Sequence, residues 1–169
     1  MRTNRPARLK HFDYLGFHRY SLTFCTDRRR PLFTNQQVVD LVRSQIVRTS
    51  ASSGFAVIAY CFMPDHLHLL VRGESEAADC RRFIAAAKQY SGYRYAKEYS
   101  GRLWQRYGYE RTLRTDEHTL QVAKYILENP VRANLVVRVQ DYPFVGSTVC
   151  ELKDLLLWIY AEVGQSRSG

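Results

Sequence analysis

No stretch of this 169-residue chain is apolar for long enough to span a bilayer, and its first residues lack the apolar core of a secretory leader. Both absences predict a cytoplasmic protein with no membrane partner. Cysteine is sparse and scattered. Cys25, Cys61, Cys80 and Cys150 form no C-x-x-C pair, and Cys25 and Cys61 sit in apolar strand contexts, so they read as small core residues in a reducing compartment. Internal repeats and long linkers are absent too, which leaves one domain able to bury about 70% of its unfolded surface. Acidic residues are few, 16 against 25 Lys and Arg, for a net charge of +9. Eight of those basic residues lie within 1–33, opposed by Asp13 and Asp27, and Arg28, Arg29 and Arg30 are consecutive. Such a surplus is either a solubilising tail or a footprint for phosphate.

What is present falls into clear periods. HRYSLTFCT (18–26) alternates as a strand, with Tyr20, Leu22 and Phe24 on one side and Ser21 and Thr23 on the other. NQQVVDLVRSQIVRTSA (35–51) predicts a helix, and FAVIAYCFM (55–63) and HLHLLVR (66–72) predict two strands joined by a Pro-Asp turn. A helix over 76–99, an extended stretch over 107–114, a helix over 116–129 and an amphipathic helix over 149–163 follow. Residues 1–13 read as a flexible basic arm and 164–169 as a frayed tail, giving a core domain over 14–147 and a C-terminal helix and tail over 148–169. The order β-α-β-β-α-β is the ferredoxin-like (RRM-like) arrangement, an α+β fold with a four-stranded antiparallel sheet and helices on one face. Its other face is expected to be open for binding.

The chemistry lies in two short segments. In PDHLHLLV, His66 and His68 are two residues apart on a strand, so both imidazoles face one side, opposite Leu67, Leu69 and Val71. In the helix at 116–129, Leu120, Val122, Ala123, Ile126 and Leu127 form one apolar stripe. Tyr125, Asn129 and His118 fall together at its edge. Thr115 is the expected N-cap, with Asp116 and Glu117 in the first turn, and Asn129-Pro130 the expected stop. Two imidazoles and an amide oxygen, without thiolate, suit Mg²⁺ or Mn²⁺ at least as well as zinc. A cation there would offset charge on a phosphodiester, and a tyrosine beside it is a sensible nucleophile, because an aryl phosphodiester keeps the bond energy needed to rejoin the strand. A phenol holds its proton to about pH 10, so that proton must leave during attack. Each piece has an ordinary reading as well: a structural H-x-H, a packed tyrosine, an asparagine that ends a helix. Their co-occurrence on two exposed faces favours cutting and rejoining of a nucleic-acid backbone.

Five blocks in order make the chain resemble the REP-associated tyrosine transposases, a branch of the single-tyrosine HUH transposases. They are YSLTFCTDRRRPLF (20–33), MPDHLHLLV (63–71), RRFIAAAKQYSGYRY (81–95), LWQRYGYERTLR (103–114) and YILENPVRANLV (125–136), with DYPFVGS (141–147) as the close. The resemblance implies an HUH fold with a C-terminal nucleophile helix, His66, His68 and Asn129 as metal ligands, and Tyr125 as nucleophile. It also implies single-stranded DNA with imperfect hairpins as substrate, a 5′-phosphotyrosine intermediate with a free 3′-hydroxyl, and a monomer or homodimer. One departure is that the segment after 147 is short and not basic.

Candidate DNA contacts are Arg28, Arg29 and Arg30 after the first strand, and Arg81, Arg82, Lys88 and Arg94 on the second helix. Trp104, Gln105 and Arg132 complete the set. On the second helix the cations alternate with Tyr90, Tyr93, Tyr95 and Tyr99, the mixture that single-strand binding uses. The competing reading gives that helix a core face of Phe83, Ile84 and Ala87 with a solvated basic side, and Trp104 a place in the packing. Two other functions fit the same letters: a hairpin-binding regulator that does not cleave, and a metal-dependent nuclease that uses water.

Overall fold

The alternation of the first strand is carried straight into the sheet. In the computed structural model, β1 (Arg19–Cys25) buries Tyr20, Leu22 and Phe24 beneath α1 (Gln36–Ser52) and α2 (Cys80–Tyr99). Residues 14–113 and 119–165 are described, with backbone alone for Tyr109, Glu110 and 163–165. The expected arm at 1–13, the cap Thr115 with Asp116 and Glu117, His118, and the tail from 166 lie outside the described residues. Antiparallel to β1 runs β3 (His66–Gly73), in a register that sets Leu22 opposite Leu69, Thr23 opposite His68 and Cys25 opposite His66. Leu67, Leu69 and Val71 therefore join the core under α1 and α2, and the histidines point the other way.

The fold is α+β and ferredoxin-like, with one strand more than the four expected. The strand order is β4-β1-β3-β2-β5, where β2 is Phe55–Met63, β4 is Tyr109–Thr112 and β5 is Val145–Gly146. The fifth strand pairs with β2 through Tyr60 and Cys61. A side chain at Gly146 would run into the Tyr60 ring, so glycine is what lets this edge close up.

The face expected to be open is partly covered. α3 (Thr119–Leu127) lies on β2 and β3, and α5 (Leu152–Gln165) packs on α3. Together they bury Ile58, Ala59, Cys61, Met63 and Leu70 with Val122, Ala123, Ile126, Leu127, Leu155 and Ile159 as a second core. This explains why FAVIAYCFM is apolar on both sides while β1 and β3 alternate: β2 is buried on both faces. The predicted stripe on α3 is the one that docks.

Helix ends follow local capping. Asn35 accepts from the Gln37 amide to start α1, and Asp79 accepts from the amides of Arg81 and Arg82 to start α2, later than the predicted 76. Among the described residues no helix is long and apolar enough to cross a membrane.

Candidate active site

His66 and His68 are half-buried on β3, and their Nε2 atoms approach to 3.0 Å. Each ring is fixed from behind. His66 Nδ1 lies 2.6 Å from Asp65 Oδ1, and His68 Nδ1 lies 2.9 Å from Thr23 Oγ1. A carboxylate only accepts, so Asp65 holds the His66 proton on Nδ1 and leaves a lone pair on Nε2. Thr23 can give or take a hydrogen bond, so it serves His68 in either tautomer. Burial first, then the charges of His66, Arg132 and Arg29, push His68 down to about 4. It is therefore neutral, the form that binds metal.

This geometry fits a divalent cation. Two ligands about 2.1 Å from one ion, at right angles, stand about 3.0 Å apart. Among the described residues no three His, Cys, Asp or Glu side chains cluster. Cys61, opposite His68, is buried, and its thiol is pushed up to about 12 by that burial.

The second half of the site comes from the end of α3. Tyr125 is 61% exposed, so its ring stands out of the packing while its neighbours Ile126 and Leu127 are buried. The helix does not simply stop at Asn129-Pro130. It breaks at Glu128 and restarts as the single turn α4 (Asn129–Arg132), where Pro130 sits in the first turn and its missing N–H costs nothing. Asn129 donates Nδ2 to the carbonyls of Tyr125 (3.2 Å) and Ile126 (3.1 Å), which turns Oδ1 away from the helix end. The new turn also folds Arg132 back over Tyr125, with the guanidinium 4.1 Å from the ring centroid and Nη2 donating to the Tyr125 carbonyl.

The charge of Arg132 reaches both His68 and Cys61, which brings the tyrosine's clamp to the histidine side of the sheet. None of the described contacts of Tyr125 runs to an imidazole, and those of Arg132 run to Tyr125 and Glu128. Residues 17–129 match the family model "Transposase IS200 like", a span that holds both histidines, Tyr125 and Asn129.

The chain belongs to the IS200-like transposases.

A Haemophilus influenzae protein assigned as a REP-associated tyrosine transposase is 27% identical over 130 residues, 70% of this chain and 72% of that one. The solved structure of a REP-associated tyrosine transposase bound to a REP hairpin superposes with a TM-score of 0.67 at 21% identity, covering 82% of this chain and 81% of that one. A transposase from Deinococcus radiodurans R1 gives 0.51 at 24% identity, over 70% and 95%. These structural likenesses are likenesses of fold. By class, this IS200-like transposase is a DNA strand-cleaving and strand-transferring enzyme.

The other predicted residues divide by face. Arg29 pairs with Asp65 at 2.8 Å and so braces His66 from outside; its Nη1 also donates to Cys25 Sγ at 2.7 Å. Arg28 is exposed on the same turn, and Arg30 donates to the Arg102 carbonyl at 2.6 Å. Arg81, Arg82 and Arg94 lie on α2, on the far side of the sheet from the histidines, because Phe83, Ala87, Ser91 and Tyr95 turn inward at helical spacing. Arg81 stacks on Tyr14, and Arg82 pairs with Asp79.

Of the predicted DNA contacts, Trp104 needs correction, and Lys88 and Gln105 are given contacts within the chain. Trp104 is 5% exposed and donates Nε1–H to Ser91 Oγ at 2.8 Å, so it packs the core and offers no face to a base. Lys88 donates to the carbonyl oxygens of Gln105 (2.7 Å) and Arg106 (3.4 Å), closing the loop after α2. Gln105 is held by its backbone, donating N–H to the Cys25 carbonyl at 2.9 Å.

Sequence reasoning missed Thr23, Asp65 and Glu128. Thr23 was legible as a polar residue on the histidine side of β1, and Asp65 as the neighbour of His66 in the turn. Glu128 carried no signal, because its role depends on a helix break and on a partner on α5.

Proposed function

We propose that this transposase cleaves and rejoins single-stranded DNA through a covalent 5′-phosphotyrosine at Tyr125, with His66, His68 and Asn129 holding one Mg²⁺ or Mn²⁺. The observation that carries this is the convergence of two Nε2 atoms at 3.0 Å while both Nδ1 atoms are engaged elsewhere. A divalent cation held there would supply charge neutralisation at the phosphate. The chain's own residues do the rest. Asp65 and Thr23 keep the imidazoles aimed, and Arg29 and Arg132 add positive charge where phosphate must sit.

The phenolic oxygen of Tyr125 bonds to phosphorus as the bond from phosphorus to the 3′ oxygen breaks. The phenol gives up its proton to solvent, and the departing 3′ oxygen takes one up as a hydroxyl. Reversal by a 3′-hydroxyl rejoins a strand and frees the tyrosine. The hairpin complex of the solved relative supports single strands with imperfect hairpins as the substrate. A monomer and a homodimer are both compatible with this reading.

Incubating the protein with hairpin-flanked single strands and Mn²⁺ is expected to give a shifted band that resists boiling in detergent. Tyr125→Phe is expected to lose that band and keep hairpin binding; a strand still linked to that variant would remove the nucleophile assignment. Calorimetry supplies the metal arm, since unchanged Mn²⁺ affinity in both His66→Ala and His68→Ala would remove the metal site.

A further inference from the structure

The sequence match to the family stops at residue 129, yet the C-terminal helix reaches back to the tyrosine through three side chains. Tyr160 on α5 donates its hydroxyl to Glu128 Oε1 at 3.2 Å. Lys124 holds the same carboxylate oxygen at 3.9 Å and lies over the Tyr160 ring, 5.6 Å from its centroid. The other oxygen, Glu128 Oε2, faces Arg132 Nη1 at 3.8 Å. Arg132 in turn stacks on Tyr125 and donates Nη2 to its carbonyl.

We infer that Tyr160, Glu128 and Arg132 are positioning residues that set the direction of the Tyr125 phenol, so that α5 is a working part of the nucleophile's mount. This rests on the reading of Tyr125 as nucleophile. An exposed tyrosine near a helix end has no packing to select among its rotamers. Here the guanidinium is what lies against the ring, and a guanidinium is a planar fork whose two ends must both be held to fix its plane. The Tyr125 carbonyl holds one end and Glu128 the other. Glu128 sits at a break between two helices, where its own side chain would be free without Tyr160 and Lys124.

The test uses the full chain with ring-¹³C-labelled tyrosine. The Tyr125 resonance is assigned by its loss in Tyr125→Phe and read in Tyr160→Phe, Glu128→Gln and Arg132→Lys without DNA. In parallel, single-turnover adduct formation and hairpin affinity are measured with Mn²⁺. A displaced nucleophile costs rate before it costs binding, so adduct formation is expected to fall about tenfold in Tyr160→Phe and Glu128→Gln. Hairpin affinity and thermal midpoint should stay as in the parent, and the Tyr125 resonance should move in both. Arg132→Lys keeps the charge and loses the fork, so it should not restore the parent resonance.

An unmoved Tyr125 resonance in both Tyr160→Phe and Glu128→Gln overturns the inference, as does a moved resonance with an unchanged adduct rate. If the parent forms no adduct at Tyr125 at all, the functional reading fails instead, a result these resonances do not depend on.

Discussion

Thr23 is a hydroxyl placed where His68 needs a partner able both to give and to receive a hydrogen bond. With His66 held as the Nδ1–H tautomer by Asp65, the 3.0 Å contact between the two Nε2 atoms takes its proton from His68, whose Nδ1 then accepts from Thr23. A cation held by both Nε2 atoms would require the His68 proton on Nδ1, with Thr23 as its acceptor. Thr23→Val keeps the shape and removes this service. Mn²⁺ affinity by calorimetry is expected to fall by about tenfold or more, as for other outer partners of metal-bound histidines; parent-like affinity would show that Thr23 does not orient His68. The two histidines and Tyr125 were legible as residues, because periods of two and of four put them on definite faces. Their partners were legible only as residues on a side or in a turn; that Thr23 meets His68 and that Arg132 folds over Tyr125 follows from strand register and a helix break.

At the scale of elements, what was legible depended on length. β1 and β3 show their two sides in plain alternation, and α3 shows its docking stripe. β5 is two residues long and shows no period at all. The C-terminal helix was readable as amphipathic, but its docking site was not, although the double-sided apolarity of β2 already required a cover on the histidine side. α2 posed the opposite problem: its cations and tyrosines read equally well as a binding face or a solvated one. Packing decides, since Ser91 turns inward to accept from Trp104 and that bond ties the loop after α2 to the helix. Ser91→Ala leaves a buried indole N–H without its acceptor and is expected to cost about 1–3 kcal/mol of stability, read as a lower denaturant midpoint. Unchanged stability would mean that Trp104 finds another acceptor.

Across the whole molecule, positive charge is placed on both sides of the sheet, and only one side carries the histidines. Arg28 and Arg29 stand on the turn that braces Asp65, and Arg132 stands over Tyr125. Arg94 is exposed behind the sheet on α2. If single-stranded DNA is drawn to the histidine side, removing a phosphate contact there flattens the salt dependence of binding. Arg28→Ala is expected to reduce the slope of log affinity against log salt by about 0.7, with Arg94→Ala leaving it unchanged. The reverse pattern would move the strand to the α2 face.

Cleavage itself is tested most directly by finding where the DNA is attached. The protein is incubated with a hairpin-flanked single strand and Mn²⁺, digested with trypsin, and the nucleotide-bearing peptide is sequenced by mass spectrometry. The expected product is the peptide Tyr125–Arg132 carrying a 5′-phosphate ester on the phenol of Tyr125. A nucleotide on any other residue, or cleaved DNA with that peptide unmodified, would contradict it.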